Sequence, residues 1–254
     1  MPDALHWSQL KLIGRSPAHY KHALSRPFVA TAAMHLGTAV HHLLLDGPHK
    51  PVIFDGASRR TKEWAAFSSA QPVGATILLA SEMDEARAIA DAVLADPVAA
   101  PRLEGARELD LAWTAAGRQC AGRLDILGTD LFDLKTTADA SPERFPWQVR
   151  RMDYAAQLAW YYDGAIAAGL PEPRLCGLIA VETSPPYPVV VYELTAEMLD
   201  MGRRRSRALL ERLLVCEASD EWPGYAQAPI ALDVTESEQD GPDLDFGDEA
   251  EAAQ

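Results

Sequence analysis

Gly122-Arg123-Leu124-Asp125-Ile126-Leu127-Gly128-Thr129-Asp130-Leu131-Phe132-Asp133-Leu134-Lys135-Thr136-Thr137 reads as two strands of alternating apolar residues around a tight turn. Gly128-Thr129-Asp130 suits a three-residue hairpin loop. A symmetric loop sets Leu127 opposite Leu131, Ile126 opposite Phe132, and Asp125 opposite Asp133. Opposed residues share a sheet face, and Lys135 shares it with Asp133 because strand side chains alternate. Two carboxylates held roughly 5 Å apart repel one another. A divalent cation between them reverses that penalty, so the hairpin is read as a metal site with a lysine beside it. A solvated hairpin with a surface Asp–Lys pair is the plainer alternative, since a D-x-K triplet recurs by chance.

Working outward, Ser8 to Leu24 looks helical with Pro17 interrupting it, and Thr31 to Leu45 is a helix capped by Thr31 and stopped by Asp46-Gly47-Pro48. Pro51–Asp55 is a short strand, Thr61–Ser69 a helix, Ile77–Ala80 strand-like, and Ser81–Ala95 a helix with Ser81 as its cap. Glu108 to Thr114 alternates as a strand and turns at Ala115-Ala116-Gly117 into Gln119–Leu127. A helix over about 146–168, strands at Leu175–Glu182 and Val189–Leu194, and a helix over Thr195–Cys216 complete the pattern. This order predicts an α/β (α+β) domain, a mixed central sheet flanked by helices, over residues 1–222.

The chain has 254 residues, 48% of them apolar, enough for a substantial core. Cys120, Cys176 and Cys216 are scattered and odd in number, which argues against a disulfide framework, and they form no CxxC pair. There is no charged start followed by an apolar run at the amino terminus, and no run of about 18 apolar residues to span a membrane. A cytoplasmic protein is the expectation. The net charge of −14 is unevenly spread: nine acids and no base follow Pro223, so the rest of the chain carries only −5. Residues 223–254 are therefore expected to be a disordered acidic tail. Such a balance opposes broad wrapping of nucleic acid but leaves room for a local channel near Arg150-Arg151 or Arg203-Arg204-Arg205 and Arg207.

Further candidates surround the hairpin. His41 lies on the helix Gly37-Thr38-Ala39-Val40-His41, whose small residues allow close approach to a sheet; it could complete a metal's ligand set, with His35 and His42 as rivals. Gln157 and Tyr161, four apart, share a helix face and either pack or contact a nucleic-acid backbone. Glu108 opens a strand, as an exposed strand-end acid or as an accessory to the metal. The arginines at 203–207 read first as a solvated helix face.

Together these residues resemble the PD-(D/E)XK nuclease superfamily, and within it the RecE-like exodeoxyribonuclease VIII group of phage and prophage origin. Gly37-Thr38-Ala39-Val40-His41 is similar to that group's GTAxH helix, Gly122-Arg123-Leu124-Asp125 to its G-R-x-D strand, and Asp133-Leu134-Lys135-Thr136-Thr137 to its D-x-K-T-[ST] strand. Tyr154-Ala155-Ala156-Gln157 with Tyr161 resembles its Y-x-x-Q-x-x-x-Y helix, and weaker similarity runs through Ser8-Gln9-Leu10-Lys11, Ser16-Pro17 and Arg60-Thr61-Lys62-Glu63-Trp64. The resemblance implies a restriction-endonuclease-like core in which Asp125, Asp133 and Lys135 are catalytic. His41, Asp125, Asp133 and the Leu134 carbonyl would hold Mg²⁺, with Mn²⁺ able to substitute. Gln157, Tyr161, Arg123 and Thr136 would touch DNA, with Glu108 accessory. It further implies exonucleolytic hydrolysis of linear double-stranded DNA, 5′ to 3′, in phage-type recombination. A homo-oligomer acting at duplex ends beside a single-strand annealing protein follows, in a bacterial host's cytoplasm and with no membrane association. The four-cysteine iron–sulfur cluster of some wider relatives has no counterpart here. The competing readings are a structure-specific or single-strand endonuclease on the same core, and a nuclease-like binding module that does not cleave.

Overall fold

A computed structural model describes residues 4–26, 28–226 and 228–231. In chain order the elements are β1 (Leu5–His6), α1 (Trp7–Leu10), a 3-10 turn at Lys11–Gly14, α2 (Pro17–Leu24), α3 (Ala32–Leu45), β2 (Val52–Phe54), α4 (Lys62–Ser69), β3 (Ile77–Leu79) and α5 (Ala80–Ala95). There follow β4 (Ala106–Ala115), β5 (Arg118–Leu127), β6 (Leu131–Thr137), α6 (Phe145–Arg151), α7 (Tyr154–Ala167), β7 (Cys176–Glu182), β8 (Val189–Glu193) and α8 (Ala196–Ser219). The result is the expected mixed sheet between helical layers.

Local chemistry sets most boundaries. Thr31, Thr61 and Thr195 cap α3, α4 and α8 by accepting from the amides of Met34, Trp64 and Met198. At α5 the expected cap, Ser81, is already inside the helix. Leu79 is the capping residue, and its amide donates to the Glu82 carboxylate at 2.8 Å. The single helix expected over 146–168 is two helices, because Asp153 adopts a left-handed conformation (φ 56°) between α6 and α7. The β4–β5 turn is Ala116-Gly117, both with positive φ, as a two-residue hairpin of right-handed twist requires.

β5 is the organising strand. β4 pairs antiparallel along its whole length, so β1 and β6 share its other edge, β1 in parallel at Cys120 and Ala121 and β6 antiparallel at Ile126 and Leu127. Between those two footholds the edge at Gly122-Arg123-Leu124-Asp125 has no partner strand among the described residues. β6 continues beside β7 in parallel, and β8 closes that end of the sheet. The Asp130 carboxylate, bound by Arg102 and Arg174, pins the β5–β6 loop.

Two cores flank the sheet. One, under α7 and α8, gathers Trp113, Leu124, Leu131, Leu158, Trp160 and Leu213; the other, under α3 and α5, gathers Val40, Leu44, Ile89, Ile126, Phe132 and Leu134. Leu124 and Ile126 are two apart in one strand yet sit in opposite cores. The same happens across the ladder: Leu109 packs with the first core, while the Arg107 guanidinium donates to the carbonyls of Leu44 and Leu103. The change of face falls at Glu108, whose φ of 47° is left-handed inside a strand. Such a conformation costs a non-glycine residue on the order of 1–3 kcal/mol and redirects the chain.

After α8 the chain lies on α2. Trp222 stacks on Tyr20, the Pro223 carbonyl accepts from the Ala18 amide at 3.1 Å, and the Tyr225 hydroxyl accepts from Arg15 at 3.0 Å. Of the tail expected over residues 223–254, Pro223 and Tyr225 are thus placed against α2, and residues 232–254 lie outside the described residues. Among the described residues no helix is long and apolar enough to cross a membrane.

Candidate active site

The unpaired stretch of β5 and the departing β6 form a fork, and the candidate residues line it. Pairing is recorded for Leu127–Leu131 and Ile126–Phe132, as the hairpin reading requires, but the third expected pair, Asp125 with Asp133, is not made. β6 turns toward β7 instead, and its next inward amide, that of Leu134, donates to the Asp125 carboxylate at 2.8 Å. A side chain thus satisfies the donor that a strand would have taken.

Three ligand atoms meet in the fork. Donor atoms of His41, Glu108 and Asp125 all lie within 4.8 Å of one another. His41 comes from α3, whose approach to β6 is close because Gly37 has no side chain; a Cβ there would lie 3.2 Å from Thr136 Oγ1. Its Nδ1 is 3.2 Å from Glu108 Oε1 and 3.8 Å from Asp125 Oδ1, and its Nε2 is 3.1 Å from the Leu134 carbonyl. All three neighbours accept hydrogen bonds, so both ring nitrogens carry protons when no cation is bound. Burial opposes that charge, yet Asp125 and Glu108 outweigh it and lift the imidazole to about 9. Burial, then the charge of Asp133, raises Asp125 to about 7.

Of the two readings open for Glu108, the exposed strand-end acid does not hold: its side chain is only 12% exposed. The left-handed backbone at that residue turns the carboxylate inward opposite Asp125. No sequence signal marks this, since the position lies inside an alternating strand and is not glycine.

Asp133 and Lys135 enter the fork from the α7 face. Lys135 Nζ is 2.5 Å from Asp133 Oδ2 and lies 4.7 Å from the centre of the Tyr154 ring. Burial would lower the lysine, but Asp133 and Asp125 hold it above the ordinary range. Asp133 is outside the three-donor group; Gln157 Nε2 donates to its second oxygen at 3.3 Å. Tyr161 bonds to Gln157 and packs on Gly122, where a Cβ would meet its ring at 2.6 Å, and burial lifts its hydroxyl to about 12. Arg123 faces outward, its Nε 2.8 Å from Asp110 and 3.8 Å from Glu108.

The rival histidines are elsewhere. His42 bonds the Gly47 carbonyl at 2.8 Å, and His35 lies on α3 within the field of Arg59 and Glu82. The arginines of α8 are largely matched: Arg203 and Arg207 pair with Asp163, and Arg205 with Asp153.

One nitrogen and several oxygens suit a small hard cation such as Mg²⁺ or Mn²⁺ better than a thiophilic metal. His41, Glu108 and Asp125 are the residues that would hold it, with the Leu134 carbonyl alongside.

A sheet opened at one strand edge, with two acids and a lysine on the diverging strands, defines the PD-(D/E)XK fold. The chain belongs to the family described as PDDEXK-like domain of unknown function (DUF3799), which matches residues 6–230. No curated protein matches it. Among solved structures, a protein named "Putative exonuclease" from Eubacterium rectale superposes with a TM-score of 0.65 at 13% identity, covering 94% of each chain. That identity speaks for the fold alone.

Proposed function

We propose that this protein is a Mg²⁺-dependent deoxyribonuclease, acting as an exonuclease on linear double-stranded DNA with 5′ to 3′ polarity. The observation that carries the reading is the placement of Lys135 beside Asp133 at one wall of the fork, with His41, Glu108 and Asp125 at the other. Family membership and the exonuclease name of the structural relative support hydrolysis of a phosphodiester; polarity and preference for duplex ends follow from the resemblance to the RecE-like group. Action in phage-type recombination, as a homo-oligomer beside a single-strand annealing protein, belongs to the same proposal.

A divalent cation bound there supplies a Lewis acid for a phosphodiester oxygen and a more acidic water. The protein's own groups do the rest. Asp125 and Glu108 give the site the negative charge that retains a cation. Lys135, held by Asp133, presents an ammonium where an attacking water and the developing phosphorane charge are oriented and offset. Gln157 fixes Asp133, and through it the direction of Lys135.

Linear and closed circular duplex DNA in Mg²⁺ test this reading, with end labels reporting polarity. Wild type is expected to release nucleotides from 5′ ends of the linear form and to spare the circle, and Asp133→Asn and Lys135→Ala to release none. Cleavage of the circle would establish an endonuclease, and equal activity in all three proteins would reject the mechanism.

A further inference from the structure

Residues 47–79 leave the body between α3 and α5 and return as a two-stranded parallel sheet, β2 with β3, carrying α4. No residue of α4 is buried. Trp64 and Phe67 hold the helix to Phe54, with ring centres 5.3 and 5.2 Å away, and the opposite face is open. At the root, Arg59 makes a two-pronged ion pair with Glu82 and also covers the Trp64 ring. This arm is firmly based, yet it contributes little to either core.

Its charge is opposite to that of the chain. Residues 47–76 hold four basic residues and two acidic ones within a protein of net charge −14. Arg59 is committed to Glu82, but Lys50, Arg60 and Lys62 are exposed and have no acidic partner among the described residues. Elsewhere several arginines are neutralised locally, as Arg87 is by Asp84 and Arg205 by Asp153. Arg60 and Lys62, flanking the Thr61 cap of α4, give the exposed arm a local positive excess complementary to a polyanion.

The arm also stands in the right place. Arg59 lies close enough to His35 on α3 to help burial hold that imidazole below its usual range. His35 precedes His41 by six residues, about 9 Å along the helix axis.

We propose that this arm grips the DNA duplex outside the fork, Arg60 and Lys62 contacting its phosphate backbone without reading sequence. The proposal rests on the nuclease reading for its choice of partner, and the two can fail separately. Binding of a labelled 30-base-pair duplex would be followed by anisotropy across a salt series, with Ca²⁺ replacing Mg²⁺. Hydrolysis of bis-p-nitrophenyl phosphate in Mn²⁺ would report the site without a duplex.

Arg60→Ala/Lys62→Ala is expected to weaken duplex binding about tenfold or more and to reduce the slope of log affinity against log salt by nearly 2, at about 0.9 per lost phosphate contact. Its hydrolysis of the small ester stays at wild-type level, and Arg87→Ala, on a neutralised arginine, binds as wild type. Should alanine loosen α4, the charge-keeping Arg60→Lys/Lys62→Arg must bind as wild type and Arg60→Glu/Lys62→Glu must not. Unchanged affinity and slope in the alanine variant, or equal binding by the two charge variants, overturns the arm. A wild type that binds duplex through these residues but cleaves neither substrate overturns the nuclease reading and leaves the arm standing.

Discussion

The amide of Leu134 donates to the carboxylate of Asp125 at 2.8 Å, at the point where β5 and β6 stop pairing. That bond gives Asp125 two tasks: closing the open end of a ladder and supplying negative charge to the fork. The tasks separate in two variants. Asp125→Asn keeps an acceptor for the amide and removes a buried charge, so its melting temperature in EDTA at pH 8 is expected to equal or exceed wild type. Asp125→Ala leaves the amide unpaired and should lose about 1–3 kcal/mol. Both should lose Mn²⁺ binding by calorimetry. Undiminished Mn²⁺ affinity in Asp125→Asn would remove this residue from the ligand set.

Glu108 joins strain to function in a similar way. Glycine accepts a φ of 47° without penalty, so Glu108→Gly should gain about 1 kcal/mol in EDTA from relieved strain, set against the lost hydrogen bond to His41, while lowering Mn²⁺ affinity at least tenfold. Glu108→Gln, which keeps the strain, should lose the affinity without the gain. Thermal melts beside Mn²⁺ titrations distinguish the two, and a Glu108→Gly protein with intact affinity would show that the carboxylate is not a ligand.

The contrast between Asp133 and Glu108 shows what a sequence can carry. Asp133 and Lys135 share a face because a strand alternates, and the Gly128–Asp130 loop fixed two pairs of the hairpin; both are local properties. The failure of the third pair is not local. It depends on β7 drawing β6 away and on β1 occupying the other end of the same β5 edge, contacts made by residues 45 or more positions distant. Glu108 was legible as a possible accessory to the metal but not as a residue turned into the fork, since its direction comes from one backbone torsion. The Thr31 cap was legible because a hydroxyl before a helical run has a specific partner three residues on. Asp153 was not, since Tyr154 to Ala167 continues the helical pattern through a break imposed by tertiary packing.

Lys135 should show activity and stability parting company. Removing it leaves Asp133 buried at 3% exposure with Gln157 as its one bonded side chain among the described residues. Lys135→Ala is therefore expected to destabilise by about 3 kcal/mol or more as well as abolish cleavage. Asp133→Asn/Lys135→Met removes both charges and should recover most of the melting temperature while remaining inactive. A double variant less stable than Lys135→Ala would mean that the pair is not the source of the loss.

The metal-free fork should also govern how stability varies with pH. His41 titrates at about 9 when folded, above its ordinary 6.5, so the folded chain binds that proton more tightly than the unfolded chain. Its contribution is complete below pH 6.5 and is lost as pH rises through 9, to a total on the order of 3 kcal/mol. Asp125, raised from 3.8 to about 7, acts in the same direction over a lower window, its contribution fading between those values. In EDTA the melting temperature is thus expected to fall from pH 6.5 to pH 9 more steeply in wild type than in His41→Asn, which has no proton to lose there. Added Mn²⁺ should reverse the trend in wild type, because a cation competes with the protons on His41 and Asp125 and binds more tightly as they leave. Parallel pH profiles for wild type and His41→Asn in EDTA would show that the imidazole is not held in its charged form by Asp125 and Glu108.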